Sequence, residues 1–212
     1  MLLKTKPMYS ERAEYCGGLR ASMAVYRQNV KIPLERVGVL VGRAGAVKRR
    51  IEERCGVKLE IDSSSGDVNI VLARDIPDAD PFKAAAVVTA IARGFSPERA
   101  ELLLQDGYEL RVVDLKEYGG RSAENLARIR GRIIGEGGRA RRNIEELTES
   151  HISVYGHTVA IIARAEWAGI AEDAVRRLAA GSPHAAVYSA LQRARSRSRL
   201  GAARLWEEAV DA

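Results

Sequence analysis

Residues 38–61 read GVLVGRAGAVKRRIEERCGVKLEI, and residues 131–154 read GRIIGEGGRARRNIEELTESHISV. The two stretches align without a gap at a spacing of 93, from Gly42 against Gly135 to Ile51 against Ile144. Each copy has aliphatic residues, then Gly-x-x-Gly, then a basic, helix-patterned run with Ile-Glu-Glu at the same place. A lone Gly-x-x-Gly says little. Two in one register, each between an apolar turn and an amphipathic segment, imply a supersecondary unit built twice. With 212 residues the chain has room for two such domains, each of the common size of about 100 residues.

The element pattern around each copy is the same. In the first, Val30–Pro33 reads as a strand and Glu35–Val41 as a short helix. After the loop, Val47, Ile51 and Cys55 fall on one helix face, with Gly56 as its stop. Lys58–Asp62 and Val68–Ala73 read as strands flanking a turn. A long helix carrying Ala84, Val87, Val88 and Ile91 follows an acidic loop, Asp75–Asp80. In the second copy Glu109–Leu115 is the strand, and Ser122 N-caps a helix over Ala123–Ile129. Ala140, Ile144 and Leu147 form the next helix face. Ile152–Tyr155 and Thr158–Ala163 make a hairpin about Gly156, and a long helix runs from Trp167 to Leu178. Ser96-Pro97 and Ser182-Pro183 each start an extra helix. The expected class is therefore α+β: two tandem domains, each a three-stranded sheet covered by helices, with extra capped helices. The expected divisions are an N-terminal arm (1–29, with a short helix around Ser22–Gln28), a first domain (30–106), a second domain (107–196) and a basic tail (197–212). The apolar positions Leu103, Leu104, Val187 and Leu191 on the extra helices are expected to face the other domain and make one rigid body.

This order, with no insertion before the glycines, resembles the type I K-homology (KH) domain. In that domain the glycine loop clamps the backbone of single-stranded nucleic acid. Glycine admits a phosphate without a Cβ in the way. The following helix offers unpaired N–H groups and a positive dipole end. Bases would lie over aliphatics at Val39–Val41 and Ile133–Ile134. Basic residues gather at both loops: Arg43, Lys48, Arg49, Arg50 and Arg54 in the first, and Arg128, Arg130, Arg132, Arg139, Arg141 and Arg142 in the second. The candidate RNA contacts are Gly42, Arg43, Ala44, Gly45, Lys48 and Arg49, with Arg132, Gly135, Glu136, Gly137, Gly138, Arg139, Arg141 and Arg142. Glu136 works against phosphate from inside the second loop.

A formal net charge of +6 and a pI near 9.5 suit a polyanionic partner. Aromatic residues are only 5%, which disfavours folds that stack bases on aromatic platforms. No catalytic constellation emerges. The loops lack the Lys-Ser/Thr of a nucleotide-binding phosphate loop. The Asp75, Asp78, Asp80 run lacks the glycine and glutamate of a calcium loop. Three scattered histidines and the cysteines Cys16 and Cys55 give neither a metal spacing nor a disulfide framework. No cofactor, no metal and no membrane span are expected, and a reducing, cytoplasmic setting is.

Five segments carry a more specific resemblance: LVGRAGAVKRRIEE, RGFSPERAELLLQDGYELRVVDL, GRIIGEGGRARRNIEELT, ISVYGHTVAIIA and GSPHAAVYSALQRAR. Spanning about residues 30–195, they resemble the archaeal branch of the Partner of Nob family of KH-domain ribosome-assembly factors, related to the Krr-type factors. The resemblance implies a non-enzymatic RNA-binding protein that binds near the 3′ end of small-subunit rRNA during maturation. It also implies association with the Nob endonuclease, the rRNA dimethylase and the alpha subunit of the archaeal initiator-tRNA-carrying factor. The alternative is a KH-domain protein that binds mRNA or acts as an RNA-binding adaptor for a decay or translation machine. One departure concerns packing. General KH domains place an aliphatic three residues after the last loop glycine, where this chain has Lys48 and Arg141. Val47 and Ala140, one residue earlier, are expected to take over.

Overall fold

The computed structural model describes residues 27–72 and 79–210. The first unit runs β1 (Arg27–Lys31), α1 (Leu34–Val41), the first glycine loop, α2 (Ala46–Cys55), β2 (Val57–Ile61), β3 (Asp67–Leu72), α3 (Pro81–Ala92) and α4 (Pro97–Ala100), which continues as a 3-10 turn over Glu101–Leu104. The second runs β4 (Tyr108–Asp114), α5 (Lys116–Gly119), α6 (Ala123–Ile134), the second loop, α7 (Arg139–Thr148), β5 (His151–Tyr155), β6 (Thr158–Arg164), α8 (Ala165–Ala179) and α9 (His184–Val210). Both sheets are antiparallel with the last strand central, β1-β3-β2 and β4-β6-β5. This is the type I KH order, twice, in an α+β fold.

Local chemistry explains the elements. Ile51 and Cys55 bury one face of α2, and Gly56 ends it at φ 62 with its N–H on Glu52 O. Burial pushes the Cys55 thiol up to about 11, so it stays protonated. Asp80 caps α3 by accepting from Lys83 N at 2.9 Å, and Pro81 takes the first turn. Residues 75–78 of the expected acidic loop, like Cys16, lie outside the described residues. Ser122 Oγ accepts from Asn125 N at 3.4 Å, and α6 then runs past Ile129 to the glycine loop. On α7, Thr148 joins Ala140 and Ile144 in the buried face, satisfying its hydroxyl on Ile144 O at 2.7 Å, while Leu147 is half-buried.

Several boundaries move. Arg27 and Gln28, expected at the end of a helix in the arm, are strand residues paired with Val71 and Ile70. Pro33 lies outside the strand. It has no N–H for the ladder and instead N-caps α1 at φ −60, ψ 138. The rest of the expected arm, residues 1–26, lies outside the described residues. At the other end, α9 continues without a break through the expected tail to Val210. Arg195 secures it by donating to Glu146 O at 3.1 Å.

The first core gathers α1, α2, α3, the inner face of the first sheet, Phe95, Ala100 and Leu103. It also takes in Ala160 and Ile162 from β6. The central strand of the second sheet is therefore buried on the first unit by its outer face, while Val112 on the edge strand beside Ala160 is exposed. Ser153 Oγ donates to Arg93 O at 2.9 Å, and the Tyr155 hydroxyl donates to Glu35. Gly94 sits so close to β5 that a Cβ there would meet Ser153 Oγ at 2.7 Å. Leu103 is buried in this junction, with Leu104 packed partly against it. Val187 and Leu191 are not at the junction: they belong to the second unit's own core, with α7 and α8. A helix start signal does not say which neighbour the helix will cover, and here α9 folds back on its own domain.

Candidate nucleic-acid interface

The two loops have one geometry. Gly42 lies at φ 71, ψ 178 with its N–H on Gly38 O at 2.9 Å, and Gly135 at φ 71, ψ 175 with its N–H on Gly131 O at 2.8 Å. The third position is left-handed in both, Ala44 at φ 48, ψ 30 and Gly137 at φ 55, ψ 20. Gly45 and Gly138, at φ 76 and 80, then open α2 and α7 with no side-chain cap. The first loop glycine cannot be replaced without a clash. A Cβ on Gly42 would lie 2.5 Å from Val47 Cγ2, and one on Gly135 would lie 2.7 Å from Ala140 Cβ. Val47 and Ala140 thus take the packing role, as the sequence suggested. Beside Gly45, Gly137 and Gly138 a Cβ would meet nothing within 4 Å, so the backbone there is open to close approach. An uncapped helix start behind an open backbone is suited to an anion.

The side chains divide into free and engaged. Arg43 and Arg139 are exposed, with no hydrogen bond or ion pair among the described residues. Glu136 is exposed at the tip of the second loop. Lys48 lies 3.9 Å from Glu52 and Arg141 3.7 Å from Glu145, at equivalent places. Arg49 Nη2 donates to Ala44 O and Arg142 Nη2 to Gly137 O, both at 2.8 Å. Arg132 is turned to the far end of α8, donating to Leu178 O at 3.2 Å and Ser182 O at 2.8 Å, where it joins α6 to the start of α9. The sequence placed it with the phosphate contacts by charge alone. The aliphatic floor is narrower than expected: Leu40 and Ile133 are sealed in the cores, leaving Val39, Val41 and Ile134 half-buried.

Two kinds of residue escaped the sequence reading. Glu52 accepts from Leu59 N at 2.8 Å and Glu145 from Ile152 N at 2.7 Å, pinning the helix behind each loop to the edge strand beside it. The signal was present, since Ile-Glu-Glu recurs at the same place in both copies. Arg36, six residues before Gly42, donates from Nε to Ile91 O at 2.9 Å and also reaches Phe95 O. It does for α1 what Arg132 does for α6. No sequence periodicity marks such a long-range contact. At the turn after β2, the Asp62 carboxylate takes Ser64 N, Ser64 Oγ and Ser65 Oγ, which hold its pKa down at about 2. Among the described residues no cluster of His, Cys, Asp or Glu could hold a metal ion. No helix among them is long and apolar enough to cross a membrane.

Fold and loops together define a tandem type I KH protein. A family model described as a eukaryotic-type KH domain of type I matches residues 109–196, and a KH-domain model matches residues 27–74. The chain is similar to the KH domain-containing protein MJ0443 of Methanocaldococcus jannaschii, 43% identical over 185 residues, covering 86% of this chain and 80% of that protein. It is similar to the pre-rRNA-processing protein pno1 of Aspergillus fumigatus at 25% identity, covering 82% and 71%. Among solved structures it matches a chain of the a/eIF2alpha-aDim2p-rRNA complex of Pyrococcus horikoshii with TM-score 0.76 and 43% identity, covering 83% of this chain and 97% of that one. The chain belongs to the Partner of Nob (Pno1/Dim2) family of KH-domain proteins.

Proposed function

We propose that this chain is an RNA-binding assembly factor of the small ribosomal subunit that holds single-stranded rRNA near the 3′ end while that end matures. The observation that carries the reading is the pair of equivalent glycine loops, each with open backbone and an uncapped helix start behind it. Such a loop takes a phosphodiester backbone whose bases are unstacked. The relative named as a pre-rRNA-processing protein and the Pyrococcus complex containing rRNA support the choice of RNA. That complex also supports the alpha subunit of the initiation factor as a partner. The Nob endonuclease and the rRNA dimethylase complete the proposed set of partners, on the family resemblance. Within this reading the chain positions RNA and does not cut it.

Crosslinking in cells followed by mapping of the bound RNA tests the proposal. Crosslinks should concentrate at the 3′ end of small-subunit rRNA, and a spread over messenger RNAs would overturn it. In vitro, single-stranded RNA should bind more tightly than a duplex of the same sequence. With about four to six phosphates neutralised, the log–log salt slope should be roughly −3 to −4. Paired aspartates at Arg43 and Ala44 should weaken binding to all sequences, and at Glu136 and Gly137 mainly to the cognate strand. A folded double variant that binds both cognate and scrambled RNA like wild type would remove that loop from the site.

A further inference from the structure

We propose that Arg49 and Arg142 are positioning residues that hold each glycine loop in its binding shape before a strand arrives, and are not ligands of its phosphates. This rests on the single-strand-binding reading above. The observation occurs twice. Each arginine lies five residues beyond its acceptor, bends back along its helix and donates Nη2 at 2.8 Å to the loop carbonyl. In both copies that carbonyl belongs to the third loop residue, Ala44 or Gly137, which is left-handed. Among the described residues neither arginine has a carboxylate partner, whereas Arg50 pairs with Glu101 and Arg141 with Glu145. The guanidinium is thus committed to the main chain by a charge-assisted bond, and no other acceptor among the described residues takes it. A loop held in one conformation loses less freedom on binding.

The two braces carry unequal loads. Gly137 enters the left-handed region without steric cost, but Ala44 has a Cβ that disfavours it. Arg49 therefore restrains a strained residue, and Arg142 only selects among conformations open to glycine. This predicts a coupling between positions 44 and 49 that a phosphate ligand would not show.

The test uses the full chain and a short single-stranded oligoribonucleotide over a range of salt. The variants are Arg49→Gln, Arg49→Lys, Arg142→Gln, Arg142→Lys, and Arg49→Gln combined with Ala44→Gly. Circular dichroism checks that each is folded, as substitutions at these exposed side chains should allow. Each single variant should lower affinity by about 3–10-fold, the effect of one hydrogen bond. Arg49→Gln should cost more than Arg142→Gln, and the salt slope should stay at the wild-type value. Adding Ala44→Gly should recover most of the Arg49→Gln loss. In the free protein, amide exchange at Gly45 and Gly138 should speed up in the matching variant. A slope shallower by about 0.7 per arginine, wild-type binding by the lysine variants, unchanged affinity, or no rescue by Ala44→Gly would each overturn the proposal. Should the wild type itself fail to bind the oligonucleotide, the binding reading falls, and amide exchange still decides whether the arginines hold the loops.

Discussion

Val71 and Ile162 occupy corresponding places in the two sheets. Val71 lies between Arg27 and Lys58 across its ladders, and Ile162 between Leu110 and His151. Yet Val71 is half-buried on a polar outer face, while Ile162 is sealed beneath the first unit at 0% exposure. The same topology thus leaves one outer face to water and gives the other a partner. Around the glycine loops the copies hardly differ: brace, tether and seal recur at the same spacing. The duplicated unit keeps its loop geometry in both places and changes only the surfaces by which the copies meet.

That contrast is most easily broken by charge. Ile162→Asp should cost about 3–5 kcal/mol in denaturant unfolding, because it buries a carboxylate without a partner. Val71→Asp should cost less than about 1 kcal/mol, in the range of surface substitutions. Equal losses would mean that the second sheet is no better covered than the first. The same packing requires the two units to tumble as one body in NMR relaxation measurements.

A glycine pair sharpens the other side of the comparison, the likeness of the loops. Gly42→Ala and Gly135→Ala each put a Cβ within 2.7 Å of the helix that follows, at backbone angles open essentially to glycine alone. Each should cost about 2–3 kcal/mol and should weaken RNA binding. Gly45→Ala meets no atom and should cost only about 1 kcal/mol, the penalty of the left-handed conformation. Thermal unfolding of the three variants checks the order.

The difference between the sheets was legible in part. DVNIVL in β3 alternates polar and apolar residues as a half-exposed strand does, and VAIIA in β6 is a continuous apolar run that signals burial on both faces. The run does not say what covers it. Glycine loops, helix faces and stops were readable because each depends on residues within a few positions of one another. The bonds of Arg132 to Leu178 and Ser182 are not legible, because charge and nearness in sequence cannot reveal them. β1 was misjudged because RQNVK buries too little for its alternation to stand out.

The tethers offer a smaller test of likeness. Glu52→Ala and Glu145→Ala each remove the acceptor of an edge-strand N–H, at 2.8 and 2.7 Å. Each should cost about 1–2 kcal/mol in chemical unfolding. The two losses should agree closely, since the surroundings match. A large inequality would show that one copy has transferred the load to other contacts.

The smallest effect lies where the copies meet, at His151, whose counterpart Lys58 stands on the open sheet. Burial lowers the His151 pKa below its ordinary value of 6.5, and the nearby Arg99 of the first unit lowers it further, while Glu145 on α7 opposes them. A depressed imidazole pKa means that the unfolded chain takes up the proton first as pH falls. Stability is therefore unaffected well above pH 6.5 and declines as pH drops through that value toward the folded pKa. Between pH 7.5 and 5.5 the wild type should lose stability relative to His151→Gln, whose side chain does not titrate. Arg99→Gln should shrink that loss by removing the unfavourable neighbour, and it should move the His151 NMR titration upward. If His151 instead titrates at or above the ordinary value, its place is as wet as that of Lys58, and the buried junction between the copies ends short of His151 on β5.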